Sequence, residues 1–245
     1  MSTAPFVEHT AGLLETVRTR RPRVHCLMNG VVPKFVADGL TVIGAVPSMT
    51  SSADEIEAFA GRADALLVNL GTLDAGRRNV IALALDVVRP KGTPWIVDPA
   101  HCDASPDRSR YAQSLVAQGA FVLRANAAEM AAIGEIDGPV VVETGATDKV
   151  RGGANAVSIS NGHPWLAEVT GTGCVSGAII AAFLAVEPDP FKASVAATLT
   201  VAIAAEIAAP LVRGPGSFEP AWLDALFNLT PADIVEHSRI SYDRT

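Results

Sequence analysis

Val169-Thr170-Gly171-Thr172-Gly173-Cys174, followed without a break by Val175-Ser176-Gly177-Ala178-Ile179-Ile180-Ala181-Ala182-Phe183-Leu184, decides how this chain is read. Small, conformationally permissive residues give way to an apolar, Ala-rich segment, which predicts a glycine turn opening a helix over Thr172 to Ala185. Such a turn leaves several backbone N–H groups converging on one spot, with the positive end of the helix dipole behind them. That spot suits an anion, phosphate above all. Cys174 stands where a side chain meets whatever the turn holds. A thiol at a helix N-terminus is expected to have a lowered pKa and to serve as base or nucleophile. The same residues also suit a tight turn with a small buried cysteine, so the rest of the chain has to decide.

Working outward, strand-like and helix-like segments alternate. Val24 to Asn29, Ala65 to Gly71, Trp95 to Pro99, Phe121 to Arg124 and Val140 to Gly145 read as strands; those apolar on both faces suit a buried parallel sheet. Glu8 to Arg20, Val32 to Leu40, Asp54 to Ala60, Asp74 to Arg89, Ser109 to Gln118 and Ala127 to Ile133 read as helices. Thr41 to Ala45 is expected as a short strand with Val46 to Ser52 as a loop, and Ser52 with Glu55 as a capping box. Asn126 and Glu129 have the same capping spacing. Lys149-Val150 and Ala156 to Ile159 suggest an antiparallel hairpin around Gly152-Gly153. Three long helices, Thr172 to Ala185, Phe191 to Val212 and Glu219 to Asn228, are expected to close the chain. The alternation implies an α/β protein, a three-layer α/β/α sandwich on a mainly parallel sheet, organised as one domain over residues 1–245. Ligands collect at the carboxyl ends of such strands. Asn29, Asn69, Asp98, Arg124, Asn126 and Thr144 all fall there.

Composition narrows the partners. The 245 residues carry a net charge of −7, which argues against nucleic acid or an anionic membrane surface. Hydrophobic residues make up 49%, enough for a large core and buried subunit contacts. Cys26, Cys102 and Cys174 suggest neither a disulfide framework nor a zinc site, and a reducing compartment suits them. Met1 to Arg20 lacks the basic-then-apolar pattern of a signal peptide, so a cytoplasmic location is expected. Ala193 to Val212 carries one charge, Glu206, and is about as long as a bilayer span. Its Ala, Val and Thr favour a closely packed buried helix instead.

Individual residues have competing readings. Asp98, at a strand end before Pro99, suits magnesium, a hard cation that takes oxygen ligands; it equally suits capping its loop. Glu129 reads as a second carboxylate for metal and phosphate, or as half of a helix cap. Arg124 suits a phosphate clamp, since a guanidinium binds phosphate oxygens in pairs. Thr144-Gly145 suits a phosphate contact or a plain turn. His163, between Gly162 and Pro164, reads as structural, and His25 is open. No Gly-Lys-Ser/Thr follows a glycine loop. Gly171, Gly173 and Gly177 only loosely match a dinucleotide fingerprint, late in the chain and without the following acidic strand end. A Cys174–His163 hydrolase has no elbow motif or orienting acid behind it.

Taken in order, the residues resemble the hydroxyethylthiazole kinases, within the ribokinase-like superfamily. The resemblance runs from Val24 to Leu226. Val24-His25-Cys26 with Asn29, Pro47 with Met49, Asn69-Leu70-Gly71-Thr72-Leu73, Asp98-Pro99 and Arg124 with Asn126 and Glu129 carry its first half. Thr144-Gly145, Asn161-Gly162-His163-Pro164, Val169 to Cys174 and Gly214-Pro215-Gly216-Ser217-Phe218 carry the second. It implies ATP-dependent phosphorylation of the hydroxyl of 4-methyl-5-(2-hydroxyethyl)thiazole, in thiamine synthesis or salvage. It implies ATP at Arg124, Thr144, Asn126 and Gly173, magnesium at Asp98 and Glu129, and the thiazole at Met49, Gly171 and Asn29. Cys174 would stand where related sugar kinases carry an aspartate base, in homotrimers with active sites between subunits. The chain departs from the family pattern at Leu27-Met28, at Gly30, at Ala100-His101-Cys102-Asp103 and at Ala125. Another small heteroaromatic alcohol such as a hydroxymethylpyrimidine, or a catalytically weak binding protein, is the alternative.

Overall fold

In the computed structural model, which describes residues 4–242, the chain runs α1 (Ala4–Arg20), β1 (Arg23–Leu27), α2 (Pro33–Val42), β2 (Val46–Ser48), α3 (Ile56–Ala60), β3 (Ala65–Asn69), α4 (Ala75–Val88), β4 (Trp95–Asp98), α5 (Pro106–Val116), β5 (Val122–Asn126), α6 (Ala127–Ile133) and β6 (Val140–Thr144). It continues through β7 (Asp148–Gly152), β8 (Asn155–Ile159), α7 (Trp165–Glu168), α8 (Thr172–Leu184), α9 (Pro190–Ala208), α10 (Pro215–Asn228), α11 (Pro231–His237) and β9 (Ile240–Tyr242). The strands form one sheet in the order β2-β1-β3-β4-β5-β6-β7-β8-β9. Pairings from β2 to β6 are parallel and those from β6 to β9 antiparallel.

Strand alternation divides the core in two. Leu67, Ile96 and Val122 turn toward α8 and α9, whereas Leu66, Val68, Val97 and Leu123 turn toward Ile56, Ile81, Leu85, Leu115 and Ile133 of α3 to α6. The result is the expected three-layer α/β/α sandwich, with one layer doubled. Helices α8 and α9 pack on the sheet, while α1, α2 and α10 pack on them from outside. A helix covered on every side has no use for a polar face, which explains why neither has one. The stretch Pro190–Leu211 is long and apolar enough to cross a membrane, but it is mostly buried in the protein interior. Its one charge beyond Lys192, Glu206, accepts the Gly162 N–H at 2.7 Å and the Asn161 amide at 3.1 Å, and pairs with Arg239.

Three local expectations are corrected. Thr41 to Ala45 is not a strand: α2 continues to Val42, and Gly44 (φ +94°) ends it as Ala45 N donates to Leu40 O and Gly44 N to Thr41 O. This is a Schellman closure, which favours glycine at that position. The strand instead follows, as a three-residue edge over Val46–Ser48, where Pro47 is tolerated because one side of an edge needs no donor. Ser52 and Glu55 form no capping box; Glu55 stands at the start of α3 without a side-chain cap, and its carboxylate takes the Thr50 hydroxyl at 3.1 Å. The chain does not close on three helices, because α11 and β9 follow, with β9 paired to β8. The hairpin of β7 and β8 and the capping box of Asn126 and Glu129 form as expected.

Candidate active site

A cleft of about 490 Å³ lies at the carboxyl ends of the parallel strands. Asn29, Asp98, Arg124, Asn126, Glu129, Thr144, Gly171, Gly173 and Cys174 all line it, so the structure gathers nine of the ten expected site residues. Met49 is the exception. It lies just beyond edge strand β2, half-buried against the core, and lines no part of this cleft.

The start of α8 forms one wall. Gly171 sits at φ +101°, and a Cβ there would lie 2.7 Å from Val32 Cγ1, so conformation and space both demand glycine. No side chain caps the helix, and no hydrogen bond among the described residues engages the Gly173 or Cys174 N–H. The Thr172 hydroxyl ties this start to α7 by donating to Leu166 O and, at 3.1 Å, to Val169 O. The Arg124 guanidinium lies against Gly173, where a Cβ would come within 2.9 Å of Nη2. Arg124 Nη1 is 4.0 Å from Asp98 Oδ1, and its buried Nε has no partner. A half-buried guanidinium with a donor left over is prepared for an anion.

Asp98 is almost fully buried; its Oδ2 accepts Asn69 Nδ2 at 2.8 Å and its Oδ1 accepts Ala100 N at 3.3 Å. Glu129 accepts Asn126 N at 2.9 Å and His101 N at 2.7 Å, bracing a turn in which Ala100 and His101 take φ of +28° and +59°. Arg108 supports the same turn by donating to Ala100 O at 2.6 Å. Among the described residues no group of three or more His, Cys, Asp or Glu could enclose a metal. Two oxygen donors do suit a hard cation that takes its remaining ligands from phosphate and water, as magnesium commonly does.

The Cys174 sulfur accepts Asn69 Nδ2 at 3.3 Å and Asn29 Nδ2 at 3.5 Å. Its pKa is not lowered, contrary to the expectation from its place in the helix. Burial pushes the thiol up to about 12, and the charge of Asp98 adds to the rise against Arg124 and the two amides. Desolvation of the thiolate is the largest cause of that rise. His163 accepts Trp165 N at 3.2 Å and lies outside the cleft, a structural role. Buried His25 bonds Ser48 through Nδ1, and burial drives its pKa down to about 4, so it is a neutral core residue.

Two residues were not picked out as site residues from the sequence. Asn69, fully buried, touches Asn29, Asp98 and Cys174 at once; its place at a strand end was the available signal. Arg77 reaches from α4 to the carbonyls of Leu27, Asn69 and Gly71, holding two strand ends together. Nothing in its local sequence distinguishes it from Arg78.

Residues 14–139 and 135–232 match the model of the hydroxyethylthiazole kinase family. The chain is 54% identical to a probable hydroxyethylthiazole kinase of Agrobacterium fabrum, over 98% of each chain. It is 39% identical to the hydroxyethylthiazole kinase of Clavibacter sepedonicus, over 95% of this chain and 94% of that one. The solved hydroxyethylthiazole kinase of Pyrococcus horikoshii OT3 superposes with a TM-score of 0.91 at 33% identity, covering 96% of this chain and 99% of the other. A pyridoxal kinase of Staphylococcus aureus shares the fold at a TM-score of 0.63 and 14% identity. By its family match, its relatives and its shared fold, the chain belongs to the hydroxyethylthiazole kinase family.

Proposed function

We propose that this protein transfers the γ-phosphoryl group of ATP to the hydroxyl of 4-methyl-5-(2-hydroxyethyl)thiazole, serving thiamine synthesis or salvage. The observation that carries the reading is the meeting, in one cleft, of an uncapped helix start, a half-buried Arg124 with a spare donor and the carboxylate of Asp98. Positive and negative groups side by side suit a phosphate that arrives with a cation. Arg124, Thr144, Asn126 and the Gly173 N–H hold the nucleotide phosphates. Asp98 and Glu129 hold magnesium, which when bound neutralises charge on the transferring phosphates. Asn29 and Gly171 face the thiazole.

Phosphoryl transfer passes through a loose transition state and asks mainly for positioning and charge neutralisation. Cys174 answers the first need. Its thiol stays protonated at neutral pH, so the sulfur orients the acceptor hydroxyl; that oxygen bonds the γ-phosphorus as the bond to the β-phosphate oxygen breaks and ADP leaves, and the hydroxyl proton passes to an oxygen of the transferred phosphoryl group. The N–H groups at the start of α8 answer the second, meeting the oxygens of the phosphoryl group in flight.

The reading extends to a single kinase domain, a cytoplasmic location, supported by three free thiols, and a homotrimer whose sites lie between subunits. Met49 supports the shared site, since it lies outside its own chain's cleft. Incubation with magnesium, ATP and a panel of thiazole, pyrimidine and pyridine alcohols, read by product mass, tests the substrate; turnover of a hydroxymethylpyrimidine but not the thiazole reassigns it. A mixture of Met49→Arg and Cys174→Ala subunits tests the sharing. Random exchange should restore about a quarter of wild-type activity, because half of each kind of edge is intact. Activity no greater than the sum of the two variants places each site within one chain.

A further inference from the structure

The amide of Asn69 uses its whole hydrogen-bonding capacity inside the cleft wall. Its Oδ1 accepts Gly71 N at 3.0 Å and Asn29 Nδ2 at 3.1 Å, while its Nδ2 donates to Asp98 Oδ2 at 2.8 Å and to Cys174 Sγ at 3.3 Å. The orientation is forced. A backbone N–H only donates, so the oxygen must face Gly71, and the NH₂ is left for the carboxylate and the sulfur. Asn29 is forced in the same way, because its Oδ1 accepts Val31 N at 2.8 Å and Val32 N at 3.3 Å. The bonds therefore run in one direction, from the N–H groups before α2 through Asn29 and Asn69 to Asp98 and Cys174. Chains so aligned polarise and stiffen one another.

We infer that Asn69 is the positioning residue that holds the candidate phosphate-side carboxylate, Asp98, and the candidate hydroxyl-side thiol, Cys174, in one frame. The inference rests on the phosphotransfer reading above. Asn69 joins the ends of β1, β3 and β4 to the start of α8, and it is wholly buried. It meets no substrate itself. With both amide hydrogens spent by Asn29 and Asn69, the thiol's own S–H is free to point into the cleft, toward an acceptor.

Asn69→Asp keeps the shape but sets a buried carboxyl oxygen where the NH₂ lies 2.8 Å from Asp98, so the two carboxyls share one proton and the bond to Cys174 is lost. It should lower kcat by roughly 100-fold, with KM for ATP and for the alcohol within about threefold of wild type. Without substrates, it should also slow iodoacetamide labelling of Cys174 at least several-fold, since losing the amide donor to the sulfur disfavours its thiolate. If the Asp variant does not fold, Asn69→Ala decides: kcat should fall about 10-fold or more at unchanged KM, well below its melting temperature, and Cys174 labelling should change at least about threefold. Unchanged kcat and unchanged labelling in a folded variant overturn the inference, leaving Asn69 a packing residue. Should wild-type protein phosphorylate none of the alcohols, the functional reading fails and the labelling comparison alone judges Asn69.

Discussion

Helices α8 and α9 follow one another in the chain, pack together and are almost equally apolar, yet they begin in opposite ways. Helix α9 opens with Asp189, whose carboxylate accepts Phe191 N at 3.0 Å and Lys192 N at 3.3 Å, and with Pro190, which has no N–H to satisfy. Its start is closed by its own sequence. Helix α8 opens with Gly171, has no side-chain cap and turns its N–H groups into the cleft. A helix start satisfied from within is architecture, and one left open is a place for an anion. Composition of the helix body does not distinguish them; the first four residues do.

Four substitutions sharpen or break this contrast. Cys174→Ala at the open start should lower kcat by about 100-fold, the low end for a positioned acid–base group because the thiol is held protonated. Calorimetry should show ATP binding nearly unchanged; loss of binding would make the residue a part of the phosphate cradle instead. Gly171→Ala should cost roughly 2–4 kcal/mol in denaturant unfolding, from a left-handed backbone and from contact with Val32. A smaller cost would mean the turn relaxes and its geometry is not required. Gly173→Ala should push Arg124 aside and raise KM for ATP about tenfold with kcat less affected; an unchanged KM would remove Arg124 from nucleotide binding. Asp189→Ala, at the closed start, should cost about 1 kcal/mol of stability and leave kcat and both KM values alone. Any loss of activity beyond the unfolded fraction would show that the two starts are less different than they look.

Much of the fold was legible because it is written in local signals: buried strands as apolar runs, Asn126 with Glu129 as a cap, Gly152-Gly153 as a hairpin turn. The site was legible because Asp98 and Thr144 stand at strand ends that a parallel sheet brings to one edge. Failures came where local signals compete. Thr41, Val42 and Ile43 look like a strand, yet the first two lie in the last turn of α2 and Gly44 closes it, a glycine signal that β-branched neighbours obscured. The thiol of Cys174 was expected to be acidified from its position in a helix, but burial is a property of the whole fold and is not written in six residues. Asn69 was visible as a polar strand end. Its four simultaneous partners come from segments up to 105 residues away, beyond any reading by spacing. Helix α11 carries its own local sign, Thr230 with Asp233 as a capping box, a weaker signal than the longer apolar segments before it.

Arg18, near the end of α1, donates to the carbonyls of Leu226, Phe227 and Leu229, with sequence separations of 208, 209 and 211 residues. The first helix thus closes over the end of α10, and with α2 and α10 it seals α8 and α9 from outside. That seal cannot form until nearly all of the chain has been made. During synthesis α1 has to wait while two largely apolar helices emerge behind it, each lacking its outer cover. Contacts so distant in sequence form slowly, and uncovered apolar surface is what chaperones bind. The doubled helical layer that holds the bare start of α8 at the cleft therefore gives this protein a vulnerable interval between translation and closure.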